Sequence, residues 1–197
     1  MKIGIFSGSF DPIHIGHAMI ANYIAQQGIV DEVWLMVSRL NPLKDNSLPA
    51  ADSDRLSMAA LVAEGCRNVK VSDFEMTLPL PSYTYRTLCA LREIYPEHRF
   101  TQIIGSDNWL EIERWMNWRE IVSEFGFIIY PRPGYPIDVN NLPTNIEVVE
   151  KCPQTQLSSS FIRESIKENL NMNWFLPPAV FDYIESRGLY KVEKSCL

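Results

Sequence analysis

Two histidines three residues apart, His14 and His17, close the stretch Gly8-Ser-Phe-Asp-Pro-Ile-His-Ile-Gly-His17 near the start of the chain. On a helix such a pair shares one face. Imidazoles so placed can ligate a metal or donate hydrogen bonds to an anion. A helical zinc-protease site needs histidines four apart with a glutamate between them, and that is absent. His98 and the scattered Cys66, Cys89, Cys152 and Cys196 add no zinc-ligand spacing, so no metal-binding residues are expected. Neither G-x-G-x-x-G nor a P-loop is present in the stretch. What remains is anion binding: a tight turn into a helix N-terminus offers unpaired N–H groups and a positive dipole end, which suit phosphate. The plainer alternative is two polar residues at a helix start.

Positioning these residues requires a strand before the turn and a helix after it. The run from Lys2 to Ser7 is rich in β-formers, and Ala18 to Gln27 has Ile20, Ala21 and Ile24 on one side, with Gly28 closing the helix. The pattern then alternates. Strands are expected at 32–37, 69–72, 99–104, 125–130 and 145–150. Helices are expected from a cap at Asp52 or Ser53 to Glu64, from Tyr83 to Tyr95 and from Trp109 to Ser123. A further helix opens at Ser159 or Ser160 and runs to about Glu168, and a last one runs from Pro177-Pro178 to Gly188. Residues 39–51 and 76–82 read as loops. Such alternation predicts an α/β fold, an open parallel Rossmann-like sheet with helices on both faces, whose ligands bind beyond the carboxyl ends of the strands. Gly8-Ser9, Arg39 to Lys44, Gly105 to Asp107 and Arg132 all fall at such ends.

A chain of 197 residues suits one domain, 1–197, with a sizeable core. The net charge of −6 argues against a broad grip on nucleic acid and leaves room for a small cationic pocket. No apolar run reaches the roughly 20 residues of a membrane span. The first strand begins at once, with no charged leader and apolar segment before it. The dispersed cysteines fit reduced thiols in the cytoplasm, with Cys89 buried on a helix. No repeat or low-complexity tract occurs, and nothing in the sequence sets an oligomeric state.

Gly8 to His17 resembles the (G/S)-x-F-D-P-x-H-x-G-H signature of the nucleotidyltransferases related to class I aminoacyl-tRNA synthetases. Leu157-Ser-Ser-Ser-Phe-Ile-Arg163 is similar to their second signature, I-S-S-T-x-I-R. Within that superfamily the middle of the chain resembles the bacterial nicotinate-nucleotide adenylyltransferases. Pro81-Ser-Tyr-Thr84 with Thr87-Leu88 is similar to their P-S-Y-T-x-D-T-L. Ile104-Gly-Ser-Asp-Asn108, followed by Trp115-x-x-Trp118-x-x-Ile121, is similar to their I-G-x-D and W-x-x-W-x-x-I. Arg132-Pro-Gly-Tyr135 matches R-P-G-Y, and the segment from Leu176 to Tyr190 resembles their closing motif. Two positions depart from the pattern: Leu43 stands in the P-H-K loop, so that only Lys44 carries over, and Arg86 stands at the acidic position of the P-S-Y-T segment.

The resemblance implies transfer of an adenylyl group from ATP to nicotinate mononucleotide, with Mg²⁺ accompanying ATP and the helices from about 159 completing the ATP site. It implies catalytic roles for His14, His17, Lys44 and Arg163. ATP would meet Gly8, Ser9, Phe10, His14, His17, Gly105, Asp107, Ser159, Ser160 and Arg163. The acceptor would meet Lys44, Tyr83, Thr84, Trp115, Met116 and Arg132, with Trp115 stacking on the pyridine ring while Trp118 packs in the core. The choice between acid and amide of that ring depends on donors aimed at the carboxylate, several of them backbone groups. A sister enzyme such as a pantetheine-phosphate or glycerol-phosphate nucleotidyltransferase would share the two phosphate signatures without the Tyr83-Thr84 and Trp115 set. A tRNA synthetase would need an anticodon-binding portion. A non-catalytic nucleotide sensor on the same fold would have no need of His14, His17 and Arg163.

Overall fold

A computed structural model of the chain describes residues 1–39 and 50–192. Six strands form one sheet: β1 (Lys2–Gly8), β2 (Glu32–Val37), β3 (Val69–Ser72), β4 (Arg99–Gly105), β5 (Phe127–Tyr130) and β6 (Ile146–Val148). Every pairing is parallel, and the spatial order is β3-β2-β1-β4-β5-β6. The direction of winding reverses between β1 and β4, which creates a crevice at their carboxyl ends. β1 ends at Gly8 and β4 at Gly105, so the residues following both strands open into that crevice.

Continuous apolar runs form the inner strands because both sheet faces are covered. Ile3 and Ile5 of β1 point to one core, where Leu88 and Leu91 of α3 (Thr84–Ile94) and Ile121 of α5 (Trp118–Glu124) meet them. Phe6 and β2 residues Val33 and Leu35 point to the other. That second core takes Ile20 and Ile24 from α1 (Ile15–Ala25), Met58 and Val62 from α2 (Asp52–Glu64), Ile162 from α6 (Ser159–Lys167), and Val180 and Ile184 from α7 (Pro178–Arg187).

The middle of the chain departs from expectation. Residues 109–123 do not form one helix. A short α4 (Ser106–Leu110) and a single 3₁₀ turn at Ile112–Arg114 precede α5, with Asn117 in the left-handed region at φ 57°. Helical bias here is overridden by the need to bury Ile112 and Ile121 while Trp115 and Met116 reach the crevice. β5 starts at Phe127 rather than 125, after Gly126 at φ 72°. Phe74–Thr77 is a 3₁₀ turn, and the loop reading holds only from Leu78 to Ser82. α2 is preceded by Ala51, so neither Asp52 nor Ser53 is its cap, and Asp52 turns its carboxylate to Arg39 and Arg55 instead. Cys89 is half-buried rather than buried.

Because Ile184 is fully buried, Ile184→Ala is expected to destabilise the whole protein by about 2–5 kcal/mol. A urea titration should show a single transition at lower midpoint. An unchanged midpoint would mean that α7 is not integral to the core.

Candidate active site

The turn after β1 is the tightest part of the crevice. Phe10 takes φ 48°, a costly conformation for a bulky residue, and its ring is fully buried against those of Phe6 and His17. A Cβ on Gly8 would lie 2.8 Å from the Phe10 ring, so only glycine lets the chain double back here. His14 is not inside α1 but is its N-cap residue, in extended conformation at φ −132°. Its backbone N–H donates to His17 Nδ1 at 3.3 Å, and the two imidazoles stack with centroids 3.8 Å apart. The pair thus shares a face, as the spacing suggests, but from the cap to the first turn rather than from two positions within the helix. His14 is buried, with Nδ1 unpartnered. Burial, and then the charge of Arg132, lowers its pKa to about 4, so it is neutral at neutral pH.

α6 closes the crevice from the other side. Ser158 is its N-cap and accepts from the Phe161 N–H. Ser159 Oγ donates to the Pro12 carbonyl at 2.9 Å. Arg163 Nη1 donates to the Asp11 carbonyl at 2.7 Å, while Nη2 contacts Ser160 Oγ at 3.3 Å. The two signature segments are therefore joined directly, with the N-terminal end of α6 set against the β1–α1 turn.

Two adjoining cavities result. One, of about 600 Å³, is lined by Ser9, Phe10, His14, His17, Ser159 and Arg163 among others. The second, of about 340 Å³, is lined by Tyr83, Thr84, Thr87, Trp115 and Met116. Both sizes suit small-molecule ligands. They share a wall, formed by Ser7, Gly8 and Ser9 at the end of β1 with Ser38 and Asn108. Tyr83 stands at the N-cap of α3, and the Trp115 ring packs edge-on to Phe127. Trp118 is half-buried, packed on the same core, with the Arg119 guanidinium 4.6 Å from its ring centre.

Some residues fall elsewhere than expected. Arg132, grouped with the acceptor residues by resemblance, lies in the larger cavity, its Nε 3.5 Å from Asp107 Oδ2. Gly105, grouped with the ATP residues, lines the smaller one. A side chain at Gly105 would collide with Asp107 and would lie 2.7 Å from Arg132 Cδ, so its absence makes space for that ion pair. Lys44 and Leu43 lie outside the described residues. Arg86 is exposed, its guanidinium 5.3 Å from the Tyr83 ring centre.

Residues that the motifs did not single out hold the site in place. Arg55 is fully buried. Its Nη1 donates to the carbonyls of Ser9 and Ser38, each at 2.6 Å, and its Nη2 to Asp52 at 2.6 Å. The signal was legible: Arg55 stands on the helical stripe of Met58, Ala59 and Val62, and a cation on an apolar stripe needs buried partners. Tyr190 donates to Asp11 Oδ1 at 2.7 Å across 179 positions of sequence, which no local pattern reveals. Beneath the smaller cavity Ser82 Oγ donates to buried Glu75. Burial raises the pKa of both Asp11 and Glu75.

Residues 5–165 match the cytidylyltransferase-like family. A Bacteroides fragilis protein named "Probable nicotinate-nucleotide adenylyltransferase" is 47% identical over 183 residues, covering 93% of this chain and 90% of its own. The chain belongs to the nicotinate-nucleotide adenylyltransferase family. A relative of the same name from Bacteroides thetaiotaomicron is 46% identical over 93% of this chain and 91% of its own. Among solved structures, Plasmodium falciparum nicotinic acid mononucleotide adenylyltransferase complexed with NaAD superposes with a TM-score of 0.80 at 25% identity, covering 96% of this chain and 97% of that one. In this adenylyltransferase family member the paired cavities at the β1–β4 crevice are therefore the candidate active site.

A pH series follows from the burial of His14. Its pKa is depressed on folding, so the unfolded chain binds the proton first as pH falls. Stability is then lost between the ordinary value of 6.5 and about 4, amounting to ~3 kcal/mol. Urea unfolding of His14→Gln should lack this loss, so that wild type falls relative to the variant as pH drops from 7 to 4. Parallel stability curves would refute a neutral, buried His14.

Proposed function

We propose that this protein transfers the adenylyl group of ATP to nicotinate mononucleotide, giving deamido-NAD and pyrophosphate in NAD biosynthesis. The observation that carries this reading is the shared wall. Two small-molecule cavities, one lined by phosphate-type donors and the other by Tyr83, Thr84 and Trp115, meet at Ser7 to Ser9. That contact is what an in-line reaction between two bound nucleotides needs. The family supports the choice of substrates, since relatives covering nearly the whole chain carry the name of that activity.

The 5′-phosphate of the mononucleotide attacks the α-phosphorus of ATP. The new O–P bond forms as the bond to the β-phosphate oxygen breaks, and the electron pair leaves with pyrophosphate. Phosphate is already a nucleophile, so the protein supplies position and charge rather than a base. His14 and His17 donate to oxygens of the reacting phosphate, aided by N–H groups of Gly8 to Phe10. Arg163 and the N-terminal end of α6 at Ser159-Ser160 receive the phosphate chain, with Lys44 adding positive charge. Asp107 receives ribose hydroxyls, and Arg132, which lines the larger cavity, acts from the ATP side. Trp115 stacks on the pyridine ring, and Thr84 with the backbone near Met116 meets its carboxylate.

Mg²⁺ would accompany ATP as part of the substrate and would offset negative charge on the phosphate chain. The arginine and histidine donors lining the larger cavity complement phosphate oxygens, while among the described residues no group of three or more His, Cys, Asp or Glu could itself hold a metal ion. We read residues 1–197 as one domain in the cytoplasm, with α6 and α7 completing the ATP site. That α6 and α7 share the core of α1 and α2 supports the single domain. The unpaired Cys66, Cys89 and Cys152 fit a reducing compartment, and no helix among the described residues is long and apolar enough to cross a membrane.

Incubation with ATP, Mg²⁺ and nicotinate mononucleotide should release pyrophosphate and form deamido-NAD. His17→Ala should lower kcat by about 10²–10³-fold with little change in melting temperature. Absence of product with the wild-type protein, while phosphopantetheine or glycerol phosphate serves as acceptor, would transfer the reading to a sister enzyme. Near-normal turnover in His17→Ala would remove the histidine from the mechanism.

A further inference from the structure

We infer that Arg39 is a polyphosphate-binding residue, held in place by a relay from the buried Arg55 through the half-exposed Asp52. Arg39 follows β2 directly and lines the larger cavity together with Ser9, His14 and His17. Its position is fixed twice. The carbonyl of the preceding residue, Ser38, accepts from Arg55 Nη1 at 2.6 Å. Its own Nε lies 3.2 Å from Asp52 Oδ2, while Asp52 Oδ1 accepts from Arg55 Nη2 at 2.6 Å. One carboxylate thus bridges two guanidinium groups, which leaves a net positive charge at the cavity rim.

Arg163, across that cavity, is more fully engaged, with both terminal nitrogens spent on Asp11 and Ser160. Arg132 meets Asp107 through Nε at 3.5 Å, a looser version of the tether that Arg39 has at 3.2 Å. Among the described residues, Arg39 meets Asp52 through Nε and its terminal nitrogens have no partner, with the side chain 38% exposed. A guanidinium tethered by Nε with its terminal edge available suits two oxygens of a phosphate chain. An ornamental surface ion pair would not need a fully buried arginine behind it. Arg39 therefore binds the β- and γ-phosphates of ATP and the pyrophosphate that leaves, and not the acceptor, whose cavity it does not line.

This inference takes its substrates from the adenylyl-transfer reading, so its test is chosen to separate the two. Calorimetric binding of Mg²⁺-pyrophosphate requires no turnover. Arg39→Gln should weaken it about tenfold or more, as expected for loss of a charge-assisted contact. In steady-state kinetics the same variant should raise KM for ATP by a similar factor while KM for nicotinate mononucleotide stays within about twofold. Arg39→Lys should recover part of the loss. A wild-type protein that forms no deamido-NAD but binds pyrophosphate through Arg39 would overturn the functional reading and leave this inference standing. Unchanged pyrophosphate affinity in Arg39→Gln, or a rise confined to the mononucleotide KM, would overturn the inference itself.

Discussion

The site depends on the clamping of one turn by two guanidinium groups. Ser9 and Asp11 carry backbone carbonyls in the segment that bends sharply after β1, where Phe10 holds an unfavourable dihedral. Arg55 takes the Ser9 carbonyl from beneath, and Arg163 takes the Asp11 carbonyl from the side of α6. Each bond is charge-assisted, and Arg55 itself is fully buried, where such bonds are strongest. Together with the burial of the Phe10 ring they hold a bulky residue at φ 48°. The position of His14 follows, because its backbone leads directly out of the clamped turn into α1.

The clamp also explains why distant parts of the chain are needed. α6 reaches the turn through Ser159 and Arg163, and Tyr190 reaches Asp11 from beyond α7. Their hold is only as firm as their seating on the sheet, which rests on Ile162, Val180 and Ile184. Packing of residues 158–190 and geometry at the first turn are thus two ends of one mechanical chain. Arg39 extends it toward β2, since the residue preceding it is fixed by Arg55 as well.

Much of this was legible before any coordinates. The parallel order follows from apolar runs of strand length alternating with helical stripes, and the crevice follows from the order. The two signature segments mark the larger cavity, and Tyr83-Thr84 with Trp115 mark the smaller one. The failures have physical causes. Residues 109–123 have helical bias, but the crevice requires Trp115 and Met116 to project from a break, and tertiary demand wins. Arg132 lines the larger cavity and Gly105 the smaller, across from the groups in which the resemblance sets them, because the β4 and β5 ends are adjacent and sequence does not say into which cavity each residue opens. Arg55 went unread although its stripe position pointed to burial. The Asp11–Tyr190 contact was beyond reach, since only the folded topology brings the chain's ends together.

Arg55 has one further consequence, for charge. Two buried carboxyls feel its charge: Asp11 in the turn by the larger cavity and Glu75 in the wall of the smaller one. In both, burial is the larger influence and pushes the pKa up; the hydrogen bonds from Tyr190 to Asp11 and from Ser82 to Glu75 oppose it, Arg163 does so at Asp11, and Arg55 adds a smaller share at each. Were the carboxyls displaced far into the neutral range, their hydrogen bonds from Tyr190 and Ser82 would weaken. Were they compensated one to one, the site would need further buried cations at a desolvation cost. The one Arg55 guanidinium adds to the local hydrogen bonds at both carboxyls and still donates to Ser9 and Ser38. The larger cavity therefore keeps a positive balance: Arg39, Arg132 and Arg163 line it against the single carboxylate of Asp107, while Asp11 is buried and does not line it. A ligand that brings several negative charges to one crevice requires that balance.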